Sequence, residues 1–153
     1  MVRILGCFLS LLILALPVAG RAGELEVRAG GVATVYSEAE LEALGMSSLV
    51  TTTSWTDGPQ SFDGVLLSRI AEVHGVKNGM MKVTAINGYE AELEVSELLA
   101  YPVLLATRQN GKRMPLREKG PFWIVYPRDG FPEFNDERHN YKWVWQVRSL
   151  EFQ

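Results

Sequence analysis

The segment Tyr101–Pro127, YPVLLATRQNGKRMPLREKGPFWIVYP, holds two apolar runs separated by a stretch of turn-forming and charged residues. The first run, Val103–Thr107, is short and apolar, which predicts a buried strand. Asn110-Gly111 favours a tight reversal, so Lys112–Leu116 is predicted to run back alongside it. The second run, Phe122–Tyr126, predicts another buried strand. The segment therefore indicates that β-structure dominates the fold.

More strands are predicted on both sides of this segment. Leu25–Arg28 alternates apolar and charged residues, and Leu49–Trp55 is rich in β-branched residues. Met81–Val95 predicts a hairpin, because Asn87-Gly88 is the pair best suited to a tight primed turn. Tyr141–Phe152 alternates again and predicts the last strand.

Short helices are predicted between the strands. Ser37–Glu40 fits a capping box that opens a helix ending at Gly45. A second helix is predicted after Asp63-Gly64, with Gly75 closing it. A third begins at Ser96-Glu97 and is limited by Pro102. The second helix is expected to bury four residues at helical spacing: Val65, Leu66, Ile70 and Val73.

Residues 127–140, PRDGFPEFNDERHN, show no internal period and predict a long polar loop. Structureless segments of this length are uncommon in a compact domain unless they bind something. Phe131 and Phe134 are also poorly suited to a loop that is free in solvent. Together, these patterns predict a single α+β domain with mixed β-sheets and two or three short helices.

The N-terminus predicts a secretory signal peptide over residues 1–22. Arg3 precedes the apolar run Ile4–Leu16, and small residues follow it around Ala22. The mature domain, residues 23–153, is then expected in the periplasm. Without Arg3 and Arg21, 13 basic residues remain against 18 acidic ones, so nucleic-acid binding has little support.

Few residues offer catalytic or metal-binding chemistry. The only cysteine is Cys7, which would leave with the signal peptide, so the mature domain would have no thiolate and no disulfide. His74 and His139 stand far apart and form no recognisable zinc pattern. The sequence also lacks the G-x-S-x-G nucleophile motif and any phosphate-binding glycine loop.

Tryptophan is the more informative residue type. Trp123 lies within an apolar strand, and core packing is its expected role. Trp55, beside a turn, and Trp143, near the exit of the long loop, are better placed for a pocket wall. The sequence therefore predicts that Trp55 and Trp143 contact a ligand.

The order of segments resembles the molybdopterin-binding domain of the sulfite oxidase superfamily. The resemblance covers nearly all of residues 47–152. Its most specific part lies within Tyr101–Pro127, followed by the Lys-Trp pair at 142–143. The other segments that carry it, in chain order, are TTTSWTDG, FDGVLLSRI, NGYEAELEV and YKWVWQVRSLEF. This resemblance implies the fold of that superfamily.

The departures from the superfamily pattern bear on function. Enzymes of the superfamily coordinate molybdenum through a cysteine, whose place is taken here by Ser54 or Thr53. A hydroxyl lacks the low pKa and the softness of a thiolate. No Arg or Lys stands near this position to hold the cofactor phosphate, and Asp57 would repel it. Molybdenum cofactor is therefore not the expected ligand.

Small, secreted, cysteine-free versions of this fold resemble periplasmic pterin-binding signalling proteins. That resemblance implies a reduced pterin as ligand and, as partner, the periplasmic domain of a membrane-bound diguanylate cyclase or phosphodiesterase. Trp55 or Trp143 would stack on the pterin, and Asp57 or Glu133 would accept from its amino edge. The remaining residues expected at the site are Ser54, Tyr126, Arg128 and Tyr141. Two alternatives stay open: a molybdenum-cofactor-dependent oxidoreductase or its accessory subunit, and a module that binds only a protein.

Overall fold

The computed structural model describes residues 23–153, which form an α+β structure with two β-sheets and few helices. The predicted signal peptide lies outside the described residues. Within residues 23–153, no helix is both long and apolar enough to cross a membrane. The strands, in chain order, are β1 Glu24–Ala29, β2 Val32–Ser37, β3 Ser47–Thr51, β4 Gln60–Leu66, β5 Met80–Ala85, β6 Glu90–Glu94, β7 Leu104–Gln109, β8 Lys112–Arg113, β9 Trp123–Val125 and β10 Val147–Phe152.

The first sheet has the order β2-β1-β10-β5-β6, and the second has the order β3-β4-β7-β8 with β9 paired to β7. Strands β1 and β10 are parallel, whereas their other neighbours in the first sheet are antiparallel, so that sheet is mixed. The strands contribute to one hydrophobic core, in which Leu25, Val83 and Leu150 from the first sheet join Phe62 and Leu105 from the second.

Three short α-helices join the strands: α1 Glu38–Glu42, α2 Leu67–Val73 and α3 Val95–Ala100. The capping box of α1 is confirmed, because Ser37 Oγ accepts from the Glu40 N–H and the Glu40 carboxylate accepts from the Ser37 N–H. Helix α3 ends before Pro102, as predicted.

The predicted start of the second helix is wrong. Asp63 and Gly64 lie inside β4, and α2 begins only at Leu67. Gly64 faces the β7 backbone so closely that an added Cβ would overlap the Leu105 carbonyl oxygen. The glycine therefore marks close strand packing rather than a helix start. Ile70 is buried as expected, but Val73 is exposed.

The predicted Met81–Val95 hairpin is confirmed, but its turn is not the expected primed type. Gly88 has a positive φ of 85°, and its N–H donates to the Ala85 carbonyl, whereas Asn87 keeps an ordinary φ. This is a longer loop with a glycine bulge. The tight primed reversal is instead at Asn110-Gly111, where both residues have positive φ and Gln109 pairs with Lys112.

Two predicted strands end or begin elsewhere. Strand β3 stops at Thr51, because the Thr52 N–H donates to Asp129 and the Trp55 N–H donates to the Thr53 hydroxyl. The predicted strand Tyr141–Phe152 starts only at Val147, since Gln146 has a φ of 51° that interrupts extended backbone. Strand β8 is likewise shorter than the predicted Lys112–Leu116, and β2 was not predicted.

The predicted long loop contains two 3₁₀ helices, Pro132–Phe134 and Glu137–Lys142. Phe134 is buried, and its ring packs edge-on against Tyr101 at 4.9 Å. This packing agrees with the expectation that its aromatic residues are unsuited to a free loop. The second 3₁₀ helix delivers the chain to the site described next.

Candidate functional site

A cavity of about 350 Å³ opens between the 52–58 turn, the β5–β6 hairpin, the second 3₁₀ helix and the residues that follow this helix. Its volume falls at the small end of the usual range for small-molecule sites. Its wall is mostly aromatic, and none of its residues is charged. The lining residues are Trp55, Ala85, Asn87, Tyr89, Asn140, Tyr141, Trp143, Val144 and Trp145.

Trp55 stands at the centre of the aromatic wall. Its ring centroid lies 5.3 Å from that of Trp145, with the planes at 75°, and 5.9 Å from that of Trp143, at 57°. Behind it, fully buried Trp123 packs edge-on against Phe62 at 5.3 Å. Tilted and edge-to-face contacts of this kind fix ring orientation. The cluster is therefore an aromatic surface with fixed ring orientations. Trp55 is only partly buried in it.

Two sets of hydrogen bonds tie the 52–58 turn to the segment across the cavity. The Asp129 carboxylate accepts from the Thr52 N–H at 2.8 Å and from the Thr52 hydroxyl at 2.5 Å. Arg128 donates to Ser54 Oγ at 3.2 Å, and Ser54 donates to Asn140 Oδ1 at 3.3 Å. These bonds set the spacing of Trp55 and Asn140 on the wall.

A second set of polar contacts anchors the segment around Lys142. Lys142 Nζ lies 2.6 Å from the Glu97 carboxylate, and the Tyr126 hydroxyl donates to the same carboxylate at 2.8 Å. Burial, first of all, and the neighbouring Glu97 charge raise the pKa of Tyr126. Because Lys142 lies between Tyr141 and Trp143 in the chain, this anchor positions both cavity residues.

The rim of the cavity is formed by tyrosines and amides. The Tyr89 hydroxyl donates to the Tyr141 carbonyl at 3.1 Å, which connects the hairpin to the second 3₁₀ helix. Both tyrosine side chains remain about half exposed. Outside the lining, Lys119 Nζ lies 5.6 Å from the ring centroid of Trp145, at cation–π distance.

Three of the eight predicted site residues line the cavity: Trp55, Tyr141 and Trp143. Ser54 and Arg128 are not in the lining: Ser54 is hydrogen bonded to the lining residue Asn140, and Arg128 is hydrogen bonded to Ser54. Tyr126 is buried in the core, with its ring centroid 5.9 Å from that of Trp143.

The two predicted carboxylates are not in the lining. Asp57 is exposed, and its carbonyl accepts from the Gln60 side chain. Glu133 is also exposed and raises the pKa of Tyr101, to which it is hydrogen bonded. Neither carboxylate is placed to accept a hydrogen bond from a ligand inside the cavity. Trp123 has the core role expected for it.

Sequence reasoning missed several lining residues, chiefly Asn87, Tyr89, Asn140 and Trp145. Trp145 was assigned to a regular strand, in which it would have pointed to the same face as Trp143. The irregular backbone at 143–146 instead leaves it half buried beside Trp55. Asn87 and Tyr89 come from a turn, and only the approach of the second 3₁₀ helix makes that turn part of a site.

The donor set of the described residues does not resemble a metal centre. Among residues 23–153, no grouping of three or more His, Cys, Asp or Glu is arranged to hold a metal ion. Ser54, one of the two residues that the resemblance puts in place of the cysteine, is hydrogen bonded to Arg128 and Asn140. A hydroxyl that accepts a hydrogen bond from a guanidinium is a poor substitute for the soft thiolate ligand of a metal.

No protein-family model matches the chain, and no curated protein matches it either. The cavity and its chemistry therefore carry the functional argument.

Proposed function

We propose that this protein is a periplasmic pterin-binding protein that senses a reduced, tetrahydropterin-like ligand. Through that ligand it regulates a membrane-bound partner that makes or degrades cyclic di-GMP. The proposal includes the fold of the sulfite oxidase superfamily, which the resemblance over residues 47–152 supports. It also includes export by the signal peptide at residues 1–22.

The aromatic cavity around Trp55 is the observation that carries the proposal. A pterin is a flat, uncharged bicycle with donors and acceptors along its edges. It needs an aromatic face for stacking and uncharged polar groups at the rim. Trp55, Trp143 and Trp145 supply the faces, and Asn87 and Asn140 supply the polar groups. The bound ring would exclude water from the indole surface around Trp55.

Molybdenum cofactor is less well matched by these residues. Residues 23–153 contain no cysteine to supply a thiolate. The lining also lacks a basic residue for the phosphate that this cofactor carries. Two basic residues lie near the lining: Arg128 is engaged with Asn135 and Ser54, and Lys119 lies against the Trp145 ring. The oxidoreductase remains an outcome of the test below rather than a second proposal.

Ligand binding is tested by titrating 6-methyltetrahydropterin, without oxygen, into the mature protein while tryptophan emission is followed. We expect saturable quenching, because the ring would stack beside Trp55. Trp55→Ala and Tyr141→Ala should each weaken binding by about tenfold or more. Tyr36→Phe, which changes an aromatic residue outside the cavity, is the matched control. Absence of quenching in the unmodified protein refutes the proposal.

Native mass spectrometry of the protein purified from periplasm separates the alternatives. A pterin adduct without metal supports the proposal, and stoichiometric molybdenum supports the oxidoreductase. The signalling part is tested by cellular cyclic di-GMP in cells that carry either the unmodified protein or Trp55→Ala. Equal levels in the two strains, with both proteins present in the periplasm, contradict regulation by the bound ligand.

A further inference from the structure

Asn87 lines the cavity, and its amide has a fixed direction. Its Oδ1 accepts from the Tyr89 N–H at 3.0 Å, within the hairpin turn. A backbone N–H can only donate, so the amide oxygen must face the turn. The polar atom that Asn87 keeps for a ligand is therefore its nitrogen, which is a donor.

Asn140 has the same orientation in the structure, where it ends a chain of two bonds. Arg128 can only donate, so Ser54 Oγ accepts from it at 3.2 Å. The single proton of Ser54 is then free to go to Asn140 Oδ1, at 3.3 Å. Asn140 also keeps its amide nitrogen, again a donor, for a ligand.

The other lining side chains add few hydrogen-bond acceptors. The indoles of Trp55, Trp143 and Trp145 carry N–H donors and no acceptor atom. Apart from the two engaged amide oxygens of Asn87 and Asn140, the side-chain acceptors of the lining are the hydroxyls of Tyr89 and Tyr141, and no lining residue is acidic. Among the side chains of the lining, donors without a partner therefore outnumber such acceptors, and no carboxylate is present to receive a donor-rich edge.

This inventory has a direct chemical consequence for a pteridine ligand. The 2-amino group and N3–H of pterin form a donor edge, for which a carboxylate is the natural partner. A 2-oxo group replaces the amino donor with an acceptor, and N1 then carries a proton, so this part of the ring offers two N–H donors instead of three. We infer that the cavity selects ligands with an acceptor-rich edge, and that a 2,4-dioxopteridine binds more tightly than the matching 2-amino-4-oxopteridine. The inference deepens the proposed function and rests on it, because it concerns which pteridine this site takes.

The test compares two probes that differ in the group at position 2 and in the proton that N1 carries with it. They are 6-methyltetrahydropterin and its 2-oxo counterpart, both in the tetrahydro form and handled without oxygen. Isothermal titration calorimetry on the mature protein gives both dissociation constants. We expect the 2-oxo compound to bind about tenfold more tightly, since its 2-oxo group can accept from the lining and the ring brings one N–H donor fewer overall.

Two isosteric variants test the residues responsible. Asn87→Asp and Asn140→Asp keep an oxygen for the Tyr89 N–H and the Ser54 hydroxyl, but present an acceptor where a donor stood. Each should weaken the 2-oxo probe by about tenfold and shift the preference toward the 2-amino probe. Asn78→Asp makes the same charge change at an exposed site outside the lining and should leave the ratio unchanged.

The possible results are distinct. Equal or tighter binding of the 2-amino probe by the unmodified protein overturns the inference and leaves pterin binding intact. So does a preference that neither Asp variant changes. Failure of both probes to bind overturns the inference together with the proposed function.

Discussion

Replacing Glu97 with alanine should destabilise the protein more than most single substitutions. Its carboxylate holds the Lys142 ammonium at 2.6 Å and accepts from the Tyr126 hydroxyl at 2.8 Å. The Lys142 side chain is only 10% exposed and Tyr126 only 1%, so both would lose their partner largely out of water. Leaving a buried charge unpaired costs about 3 kcal/mol or more.

The assay is urea unfolding followed by tryptophan emission, with the denaturation midpoint and slope both recorded. A loss of about 3 kcal/mol corresponds to roughly 10 °C in the melting temperature for a domain of this size. Glu97→Gln is the matched control, because its amide oxygen still accepts from Lys142 while its NH2 can donate to the Tyr126 hydroxyl. It should cost less than Glu97→Ala.

A double-mutant cycle separates the ion pair from general packing loss. In Lys142→Met the stranded ammonium is gone, so Glu97→Ala should cost less in that background than in the unmodified protein. A coupling of at least 1 kcal/mol is expected. The reasoning is refuted if Glu97→Ala costs under 1 kcal/mol, or if the two substitutions are strictly additive.

Two further predictions follow from single side chains. The pKa of Tyr126 is raised in the folded protein, so its contribution to stability is complete below about pH 10, where unfolded tyrosine titrates, and falls as the pH rises further. Between pH 8 and pH 11, Tyr126→Phe should lose about 1 kcal/mol less of its unfolding free energy than the unmodified protein; an equal loss contradicts this. Gly64→Ala should cost about 3 kcal/mol, because its Cβ would overlap the Leu105 carbonyl and lie 2.7 Å from Ala106 Cα. Gly130→Ala, whose Cβ would meet only an ordinary contact, should be nearly neutral in the same unfolding assay, and equal costs for the two substitutions would be inconsistent with the packing described.

Local chemistry allowed several elements to be predicted. The capping box at Ser37, the hairpin around Gly88 and the end of α3 before Pro102 depend on residues a few positions apart. Interactions over such short separations form in the same way in most tertiary contexts. These predictions are confirmed for that reason.

The failed boundaries share a different cause. The β3 strand ends at Thr51 because Asp129, 77 residues after Thr52, takes up the Thr52 N–H. Gly64 lies in a strand because the β7 backbone passes against it. In both cases a distant part of the chain competes with the local preference, and no window of neighbouring sequence contains that partner.

The candidate site was likewise predicted only in part from the sequence. The sequence indicated Trp55 and Trp143 as pocket walls, since an exposed turn is a poor place for an indole without a contact. It also placed Asp57 and Glu133 in the site from the chemistry of the expected ligand alone. The structure puts both carboxylates elsewhere and brings Asn87 and Asn140 to the lining instead.

The sequence by itself determined the α+β class, the dominance of strands, the absence of cysteine from residues 23–153 and the clustering of tryptophan near turns. Composition and short-range patterns suffice for these properties. Only the tertiary structure decided the cavity, because its wall joins a turn near residue 55, a hairpin near residue 88 and a segment near residue 143. The hydrogen bonds that orient the Asn140 amide of that wall cross from one segment to another, so they form only once the chain has folded.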